Sequence, residues 1–295
     1  MSQNPLVSIV IPSYKTEFFE QTLRSAIGQT YNNTEIIVSD NCPTETIAET
    51  CQRFNGINYY RNELKGGQNI LDAIFSAKGD YIKPLFDDDL LHPFCVERMV
   101  EALQSNPNTS LVFSASTTIN SENKRKKQRR PANQPFLIDG KELQRRMILS
   151  FQNFVGEFST IMLRREFLKQ YDRTNALTYD NAIYTKGLSD VVFYWNATRG
   201  HQAHYLDEEL SYFRFDPQHN SNSNPESNPD FLFAITDWIE LLIASHEAGV
   251  ITDTELVAQG AKQARALSRY WSTKFPAVAE FAQKFEDYLK ETTQK

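Results

Sequence analysis

The sequence lacks the cysteine pattern of a disulfide framework or a cysteine zinc site. Its 295 residues contain three cysteines, Cys42, Cys51 and Cys95, which are odd in number and form no CxxC pair. We therefore expect buried or incidental thiols. The five histidines include no HxxxH pair, so they give no independent metal signature.

Long apolar runs are also missing. None reaches the ~18 residues of a membrane-spanning helix, and the start MSQNPLVSIVIPSY lacks the basic segment and apolar stretch of a signal peptide. These absences predict a cytoplasmic protein, with peripheral contact at the inner face of the membrane left open. The net charge of −6 disfavours nucleic-acid binding, which usually accompanies a basic surplus.

One segment departs from the acidic balance. Residues 124–130 read KRKKQRR and show no apolar periodicity. The pattern favours a solvated, mobile loop, because blocks of like charge are commonly disordered. The alternative is an electrostatic contact with a phosphorylated or membrane-borne substrate, since each basic residue near an anionic surface contributes about 1 kcal/mol.

The first 115 residues alternate short apolar runs with amphipathic helical stripes. The predicted strands are LVSIVI (6–11), TEIIVSD (34–40), GDYIKPLF (79–86) and SLVFSAS (110–116). This rhythm predicts an α/β fold with a mostly parallel sheet and right-handed crossovers.

Beyond residue 116 the pattern changes. It predicts a helix at 139–151, a strand at 158–165, a helix start near 188, a strand at 205–215, a polar loop or lid at 219–229 and helices from 231 onward. In sheets of this kind ligands bind beyond the carboxyl ends of the strands. No GxGxxG follows the first strand and no GxxxxGK[ST] occurs, which disfavours a dinucleotide site and a P-loop.

Four pieces stand in one order: VSIVIPSY, EIIVSDN, AKGDYIKPLFDDDLLHP and a later Ser-Asp at a helix start. This series resembles the family-2 glycosyltransferases over roughly residues 5–220. The resemblance implies the GT-A fold, a Rossmann-like, mostly parallel sheet flanked by helices, here with a C-terminal helical extension. It divides the chain into a nucleotide-sugar-binding half (1–116), an acceptor-binding half (117–229) and the extension (230–295).

The three consecutive acids are the expected metal site. A diphosphate leaving group develops negative charge, and a hard divalent cation held by carboxylate oxygens neutralises it. By resemblance Asp88 is the last acid of an Asp-x-Asp motif that binds Mn²⁺ or Mg²⁺, Asp87 assists it and contacts the nucleotide, and Asp89 supports them. Phe86 stands where the commonest motif has its first acid. The alternative is a helix-capping cluster, for which Asp89 is the best candidate.

The resemblance also implies a nucleotide pocket. Its members are Pro12, Ser13, Tyr14, Asp40, Asn62 and Asn69, with Asp40 accepting a hydrogen bond from the base. Plain turns are the alternative for the Asp and the two Asn residues. His219 is placed near the diphosphate and the metal, or is a solvated loop histidine.

On the acceptor side, the resemblance makes Asp190 the general base that deprotonates the acceptor hydroxyl. Ser189 replaces the acid that usually precedes it, and a helix-capping role is the alternative. Gly156, Glu157 and Ser159 are expected to line the sugar and acceptor cleft.

The expected function is inverting transfer of a sugar from a nucleotide-sugar donor (UDP-, GDP- or dTDP-linked) to a glycan or lipid-linked glycan. The helices after residue 230 leave a homodimer contact open. Two alternatives stand: a non-catalytic scaffold of a glycan-assembly complex, and a sugar nucleotidyltransferase. The second usually has a glycine-rich phosphate loop after the first strand, which PSYKTEFF lacks.

Overall fold

The computed structural model describes residues 4–215, 225–226 and 228–294, which fold around one large mixed sheet. The strands are β1 (Val7–Ser13), β2 (Thr34–Asp40), β3 (Ile57–Arg61), β4 (Tyr81–Pro84), β5 (Leu90–Leu91), β6 (Thr109–Ile119), β7 (Arg125–Arg129), β8 (Phe136–Asp139), β9 (Ile161–Arg164), β10 (Thr178–Tyr179), β11 (Ala182–Ile183) and β12 (Gln202–Arg214). The helices are α1 (Phe19–Ile27), α2 (Thr46–Gln52), α3 (Gly67–Ser76), α4 (Cys95–Ser105), α5 (Gly140–Ser150), α6 (Ser189–Ala197), α7 (Phe231–Glu247), α8 (Asp253–Glu255), α9 (Ala261–Trp271) and α10 (Val278–Thr293).

The strand directions bring many strand ends to one edge of the sheet. The order is β3-β2-β1-β4-β9-β6-β12-β5, and β1 to β4 are parallel. Strand β9 is antiparallel to both β4 and β6, so β6 and its parallel neighbour β12 point the same way as β1. We call the edge at which these strands end, and at which β9 begins, the carboxyl edge.

The expected α/β fold is confirmed, and its core lies on both faces of the sheet. Along β1, Val7, Ile9 and Ile11 join one apolar cluster and Val10 joins the other, as the period of two requires. A strand buried on both faces needs the nearly continuous apolar sequence that β1 has.

The basic segment is ordered, so the mobile-loop prediction is wrong. Residues 125–129 form β7, an edge strand paired antiparallel to β6. Three of its arginines form ion pairs with acids from distant parts of the chain: Arg125 with Glu209, Arg129 with Glu157 and Arg130 with Asp207.

The acidic triplet lies in a turn, which corrects two expectations. Strand β4 ends at Pro84 rather than residue 86, and the Asp89 N–H donates to the Phe86 carbonyl at 3.2 Å. Helix α4 begins only at Cys95, after the short strand β5, so Asp89 does not cap it.

The predicted C-terminal helices are confirmed. Thr252 and Glu255 form a reciprocal capping box at the start of α8, which continues through a π-helical segment (Leu256–Gly260) into α9. The three cysteines are free and buried, as expected. In the part of the chain that the structure describes, no helix is long and apolar enough to cross a membrane.

Candidate active site

Asp87 faces the loop after β1. One of its carboxylate oxygens accepts the backbone N–H groups of Tyr14 and Lys15, each at 2.6 Å. The side chain is buried, and burial, followed by the charge of Asp88, raises its pKa to about 7 in spite of the two N–H donors. Asp87 therefore holds the β1–α1 loop against the end of β4.

Within the acidic triplet, Asp88 forms an ion pair with Lys15. Its carboxylate accepts from the Lys15 ammonium at 2.6 Å, and its side chain is 15% exposed. Burial acts to lower the pKa of Lys15, but the charges of Asp88 and its neighbours outweigh it and raise that pKa above its ordinary value. The pair joins the ends of β1 and β4.

Asp89 points the other way, toward the end of β12. One of its oxygens accepts the backbone N–H of Arg214 at 2.9 Å. The carboxyl is fully buried, and burial together with the neighbouring Asp88 raises its pKa well above the ordinary value, although Ser159 and Arg214 donate to it. The Arg214 guanidinium lies over the Phe18 ring at 3.9 Å and donates to the Asp88 carbonyl.

The three acids therefore do not converge on one point. Among residues 4–215, 225–226 and 228–294 there is no group of three or more His, Cys, Asp or Glu side chains arranged to hold a metal ion. His219 lies outside the described residues. Asp88 is the carboxylate that faces an existing cation, so a divalent ion here would rely on Asp88 together with substrate oxygens.

At the end of β2, Asp40 is fully buried and already hydrogen-bonded. Its two oxygens accept from the Cys42 N–H and the Tyr59 hydroxyl, both at 2.7 Å. The first contact is the Asp-Asn turn that the sequence left open. Along β1, Pro12 and Ser13 are buried, whereas the Tyr14 ring beyond the strand is 60% exposed.

The two predicted asparagines meet in one amide network. The Asn62 side-chain amide donates to the Ser39 hydroxyl and to the side-chain Oδ1 of Asn69, at 2.8 and 3.0 Å. Asn69 in turn donates to the Ser39 carbonyl and to Asn41. The Leu64 N–H donates to Asn62 at 2.8 Å, which is the turn contact. These side chains tie the ends of β2 and β3 to the start of α3.

Asp190 lies in the first turn of α6 and is half-buried. One of its oxygens accepts from the Asn153 amide at 2.7 Å and the other from the Val191 N–H at 2.8 Å. Burial, followed by the charge of Glu157, raises its pKa to about 7, while Arg129 acts to lower it. A carboxyl with a pKa near 7 is suited to accept a proton at neutral pH.

The segment 153–160 links the acidic turn to Asp190. Glu157 pairs with Arg129, and the Gly156 carbonyl accepts from the buried Tyr194 hydroxyl at 3.0 Å. Gly156 has φ +97°, a region that glycine enters without strain. The Ser159 hydroxyl accepts the Phe86 N–H at 2.9 Å, so the segment contacts the turn that carries the three acids.

Lys83 lies beneath this turn and is fully buried. Its ammonium donates to the carbonyls of Pro84 and Ser159 at 2.8 and 2.7 Å. Burial lowers its pKa to about 8. Lys83 thus joins β4 to the segment 153–160 through two backbone oxygens.

A comparison of the sequence with models of protein families gives a match. The model of the family described as Glycosyl transferase family 2 matches residues 8–172, more than half of the 295 residues. The chain belongs to glycosyl transferase family 2. The matched region contains the ends of β1, β2 and β4 and the segment 153–160.

Similar curated proteins are also glycosyltransferases by name, and this family-2 chain matches a part of each. An uncharacterized glycosyltransferase of Rickettsia felis is 34% identical over 116 residues, 37% of this chain and 19% of that protein. Another, from Rickettsia typhi, is 36% identical over 120 residues, 38% of this chain and 37% of that protein. The glycosyltransferase GlyG of Streptococcus pneumoniae is 32% identical over 106 residues, 34% of this chain and 35% of that protein. The matches thus span between 19% and 37% of the relatives' length.

Solved structures confirm the fold of this family-2 chain. The crystal structure of S. aureus TarS 1-349 in complex with UDP-GlcNAc has a TM-score of 0.62 at 17% identity, covering 90% of this chain and 72% of that one. S. aureus TarS has a TM-score of 0.58 at 16% identity, covering 90% and 43%. The expected GT-A fold is therefore confirmed.

Sequence reasoning missed four polar residues of this family-2 site: Lys15, Lys83, Arg129 and Asn153. Lys83 left a signal, since a lysine within the apolar run YIKPLF is unusual for a strand buried on both faces. Arg129 lies in the basic segment KRKKQRR, but nothing in the sequence indicates its pairing with Glu157. Lys15 and Asn153 left no signal, because Lys15 and Asp88 are 73 residues apart and Asn153 and Asp190 are 37 apart.

Proposed function

We propose that this chain is a metal-dependent inverting glycosyltransferase that acts in polysaccharide or glycan biosynthesis. It moves a sugar from a UDP-, GDP- or dTDP-linked donor to a hydroxyl of a glycan or lipid-linked glycan. Residues 1–116 bind the donor, residues 117–229 bind the acceptor, and residues 230–295 form the helical extension. Family membership supports the reaction class, and a protein of Escherichia coli strain K12 provisionally named for colanic acid biosynthesis is 32% identical over 96 residues.

The donor binds at the ends of β1 and β2. The exposed Tyr14 ring offers a face on which a base stacks. Asp40, Asn62 and Asn69 shape the floor of the pocket through their own hydrogen bonds, and each Asp40 oxygen keeps a further lone pair. TarS of S. aureus, which shares the fold, was crystallised with UDP and with UDP-GlcNAc.

Asp88 is the proposed ligand of Mn²⁺ or Mg²⁺. Its carboxylate is partly exposed and faces an ammonium, so this point of the site attracts a cation. A site of one carboxylate completed by substrate phosphates suits Mg²⁺, which is usually held by one or two carboxylates plus phosphate oxygens. The bound ion would neutralise the charge that develops on the diphosphate leaving group.

Asp190 is the proposed general base. It removes the proton of the acceptor hydroxyl while the hydroxyl oxygen bonds to the anomeric carbon and the bond from that carbon to the diphosphate breaks. The diphosphate leaves with the bonding electron pair, and the carbon inverts. The observation that carries the proposal is a half-buried carboxyl in the first turn of α6 of a family-2 chain, with its pKa raised to about 7.

The test is donor binding and turnover. UDP-, GDP- and dTDP-sugars are screened by thermal shift with Mn²⁺ and with EDTA, and release of nucleoside diphosphate is then measured. We expect one donor class to raise the melting temperature with Mn²⁺, and Asp88→Ala to abolish this dependence. Asp287→Asn, which removes an exposed acid on α10, is the matched control. Binding and turnover by Asp88→Ala equal to those of the wild type would refute the metal assignment.

A donor that binds without any release of nucleoside diphosphate, with acceptor-type glycans present, would instead favour the scaffold. Incorporation of a sugar phosphate into a nucleotide, with release of pyrophosphate, would favour the nucleotidyltransferase. The two products separate these alternatives from glycosyl transfer.

A further inference from the structure

The basic segment of the sequence becomes part of the surface beside the candidate base. Strand β7 pairs with β6 near the carboxyl edge, with Arg125 opposite Ile119. Its Arg129 pairs with Glu157, and both residues act on the pKa of Asp190. A segment that reads as a detached loop thus adjoins the acceptor side.

Most of its cations are neutralised locally. Glu209, Glu157 and Asp207 pair with Arg125, Arg129 and Arg130, as described above, and the exposed Lys124 and Glu122 pair at 2.7 Å. Arg125 and Arg129 also lie over the rings of Tyr212 and Phe213, at 6.0 and 5.7 Å. These contacts fix the strand against β12 and account for four of the six basic residues.

Lys126 and Lys127 are the remaining two. Both are exposed, and neither forms an ion pair within the part of the chain that the structure describes. Gln128 pairs with Thr117 and Arg125 with Ile119, so the two lysines together stand opposite Thr118 alone. Two residues opposite one make a β-bulge, a device that is enriched beside active sites and re-aims side chains.

The bulge is held in place by its backbone. The Lys127 N–H donates to the Thr118 hydroxyl at 2.8 Å, and that hydroxyl donates to the Lys127 carbonyl at 3.1 Å. The lysine stems leave from a fixed backbone, two to three residues or ~7–10 Å along the strand from Arg129. The same strand carries Arg129, whose partner Glu157 acts on Asp190, so the two lysines and the candidate base are linked through one ion pair.

We propose that Lys126 and Lys127 form an anion-binding site for a phosphate-bearing acceptor, which they hold by a phosphate group away from the reacting hydroxyl. This inference rests on the proposed glycosyl transfer and specifies its acceptor class. An acidic chain of net charge −6 repels polyanions in general. Lys126 and Lys127, which form no ion pair with any other described residue, offset this repulsion on the strand that carries Arg129.

A membrane surface is the less favoured partner. Two lysines contribute only about 2 kcal/mol at an anionic surface, which is marginal for anchoring, and the other four basic residues of the segment are occupied by acids. Protection of the edge strand against pairing with another chain is a further role for lysines at such a position. The experiment below tells these roles apart.

The probe is dextran phosphate, with neutral dextran of equal length for comparison, measured by calorimetry at low salt in EDTA and without nucleotide. The variant is Lys126→Gln/Lys127→Gln. The control, Lys78→Gln/Lys262→Gln, removes two exposed lysines at positions outside this strand. We expect the first variant to bind dextran phosphate about 30-fold more weakly than the wild type, at ~1 kcal/mol per lysine, and the control to stay within about threefold.

Equal affinity of the two double variants, or no binding by the wild type, would overturn the proposal and leave edge protection as the role of the lysines. The membrane alternative is tested by sedimentation with vesicles of about 30% phosphatidylglycerol in phosphatidylcholine. If the wild type sediments with the vesicles, Lys126→Gln/Lys127→Gln does not, and the wild type does not bind dextran phosphate, the proposal is overturned in favour of a membrane contact. Binding of nucleoside diphosphate with Mn²⁺ is measured on the same preparations. Its absence from the wild type would contradict the proposed glycosyl transfer, whereas its retention in the double variant keeps the two proposals separate.

Discussion

The side-chain amide of Asn153 donates a hydrogen bond of 2.7 Å to the carboxylate of Asp190. The bond joins the segment 153–160 to the first turn of α6. Because it stabilises the ionised carboxylate, it opposes the burial that raises the pKa of Asp190 to about 7. The Asn153 amide, like the backbone N–H of Val191, therefore favours the ionised form of this acid.

We predict that activity rises with pH through about 7 and that Asn153→Ala moves this rise upward by about one unit, the effect of losing a hydrogen bond of about 1.5 kcal/mol to a charged group. Asp190→Asn should lower kcat by about 10²- to 10⁴-fold with donor affinity unchanged. The measurement is the pH profile of nucleoside diphosphate release. An unshifted profile for Asn153→Ala would show that the contact does not tune the base.

The Glu157–Arg129 pair should tune the same group in two directions. Glu157 raises the pKa of Asp190 and Arg129 lowers it. We therefore expect Glu157→Gln to move the pH profile down and Arg129→Met to move it up, each by a few tenths of a unit to about one unit. Shifts of the same sign would contradict this electrostatic account.

Lys15 should compete with a divalent cation for Asp88. In Lys15→Met no ammonium has to leave the carboxylate, so Mn²⁺ in the presence of nucleoside diphosphate should bind about two- to fivefold more tightly, consistent with a partly exposed ion pair of up to about 1 kcal/mol. The measurement is a thermal-shift titration with Mn²⁺. Lys78→Met is the control, and an identical response of both variants would rule out competition.

The buried Lys83 makes a prediction about stability at high pH. Its pKa is lowered to about 8 in the folded chain, so the folded state binds fewer protons than the unfolded state between about pH 8 and 10.5. The buried ammonium destabilises the folded state by the full amount below pH 8, and this destabilisation disappears toward pH 10.5. In urea denaturation, the free energy of unfolding of Lys83→Met should exceed that of the wild type most at pH 7, and this difference should be lost by pH 10. A difference independent of pH would exclude a buried charge.

Asp237 connects the helical extension to α6. Its carboxylate accepts the Leu188 N–H at 2.8 Å, just before α6 begins, and burial raises its pKa to about 7. A Cβ on Gly187 would lie 2.1 Å from this carboxylate, so only glycine permits the approach. The folded pKa lies above the ordinary value, so the stability that Asp237 contributes falls as pH rises from about 4 to 7.

We therefore expect Asp237→Asn to match the wild type near pH 4 and to exceed its stability at pH 8, by at most about 4 kcal/mol. Denaturation at the two pH values provides the measurement. A variant that is equally destabilised at both would indicate that the hydrogen bond matters and the charge does not.

Much of the proposed donor side, residues 1–116, was predictable from the sequence. A strand buried on both faces has a nearly continuous apolar sequence, so β1 and β2 are visible without the structure. The ends of these strands and Asp88 follow from motif order. The partner of each acid was not visible, because the turn at Phe86–Asp89 places each carboxylate by contacts with a different distant segment.

The proposed acceptor side, residues 117–229, was less predictable. The charged sequence of β7 does not predict a strand. The strand forms because acids far along the chain, such as Glu209, neutralise its charges. The antiparallel insertion of β9 between β4 and β6 is likewise a long-range pairing without local signal. The roles of the individual site residues stay predictions, and the experiments above address them.

The amide network of Ser39, Asn41, Asn62 and Asn69 has a consequence for the energetics of binding. Its members form hydrogen bonds with one another, so the rotamer freedom of these side chains is lost when the chain folds. A nucleotide that binds here, as proposed, would immobilise few further side chains. Its association should therefore carry a small penalty in side-chain entropy, and the rigid floor should favour fast, selective capture of ligands that match its shape.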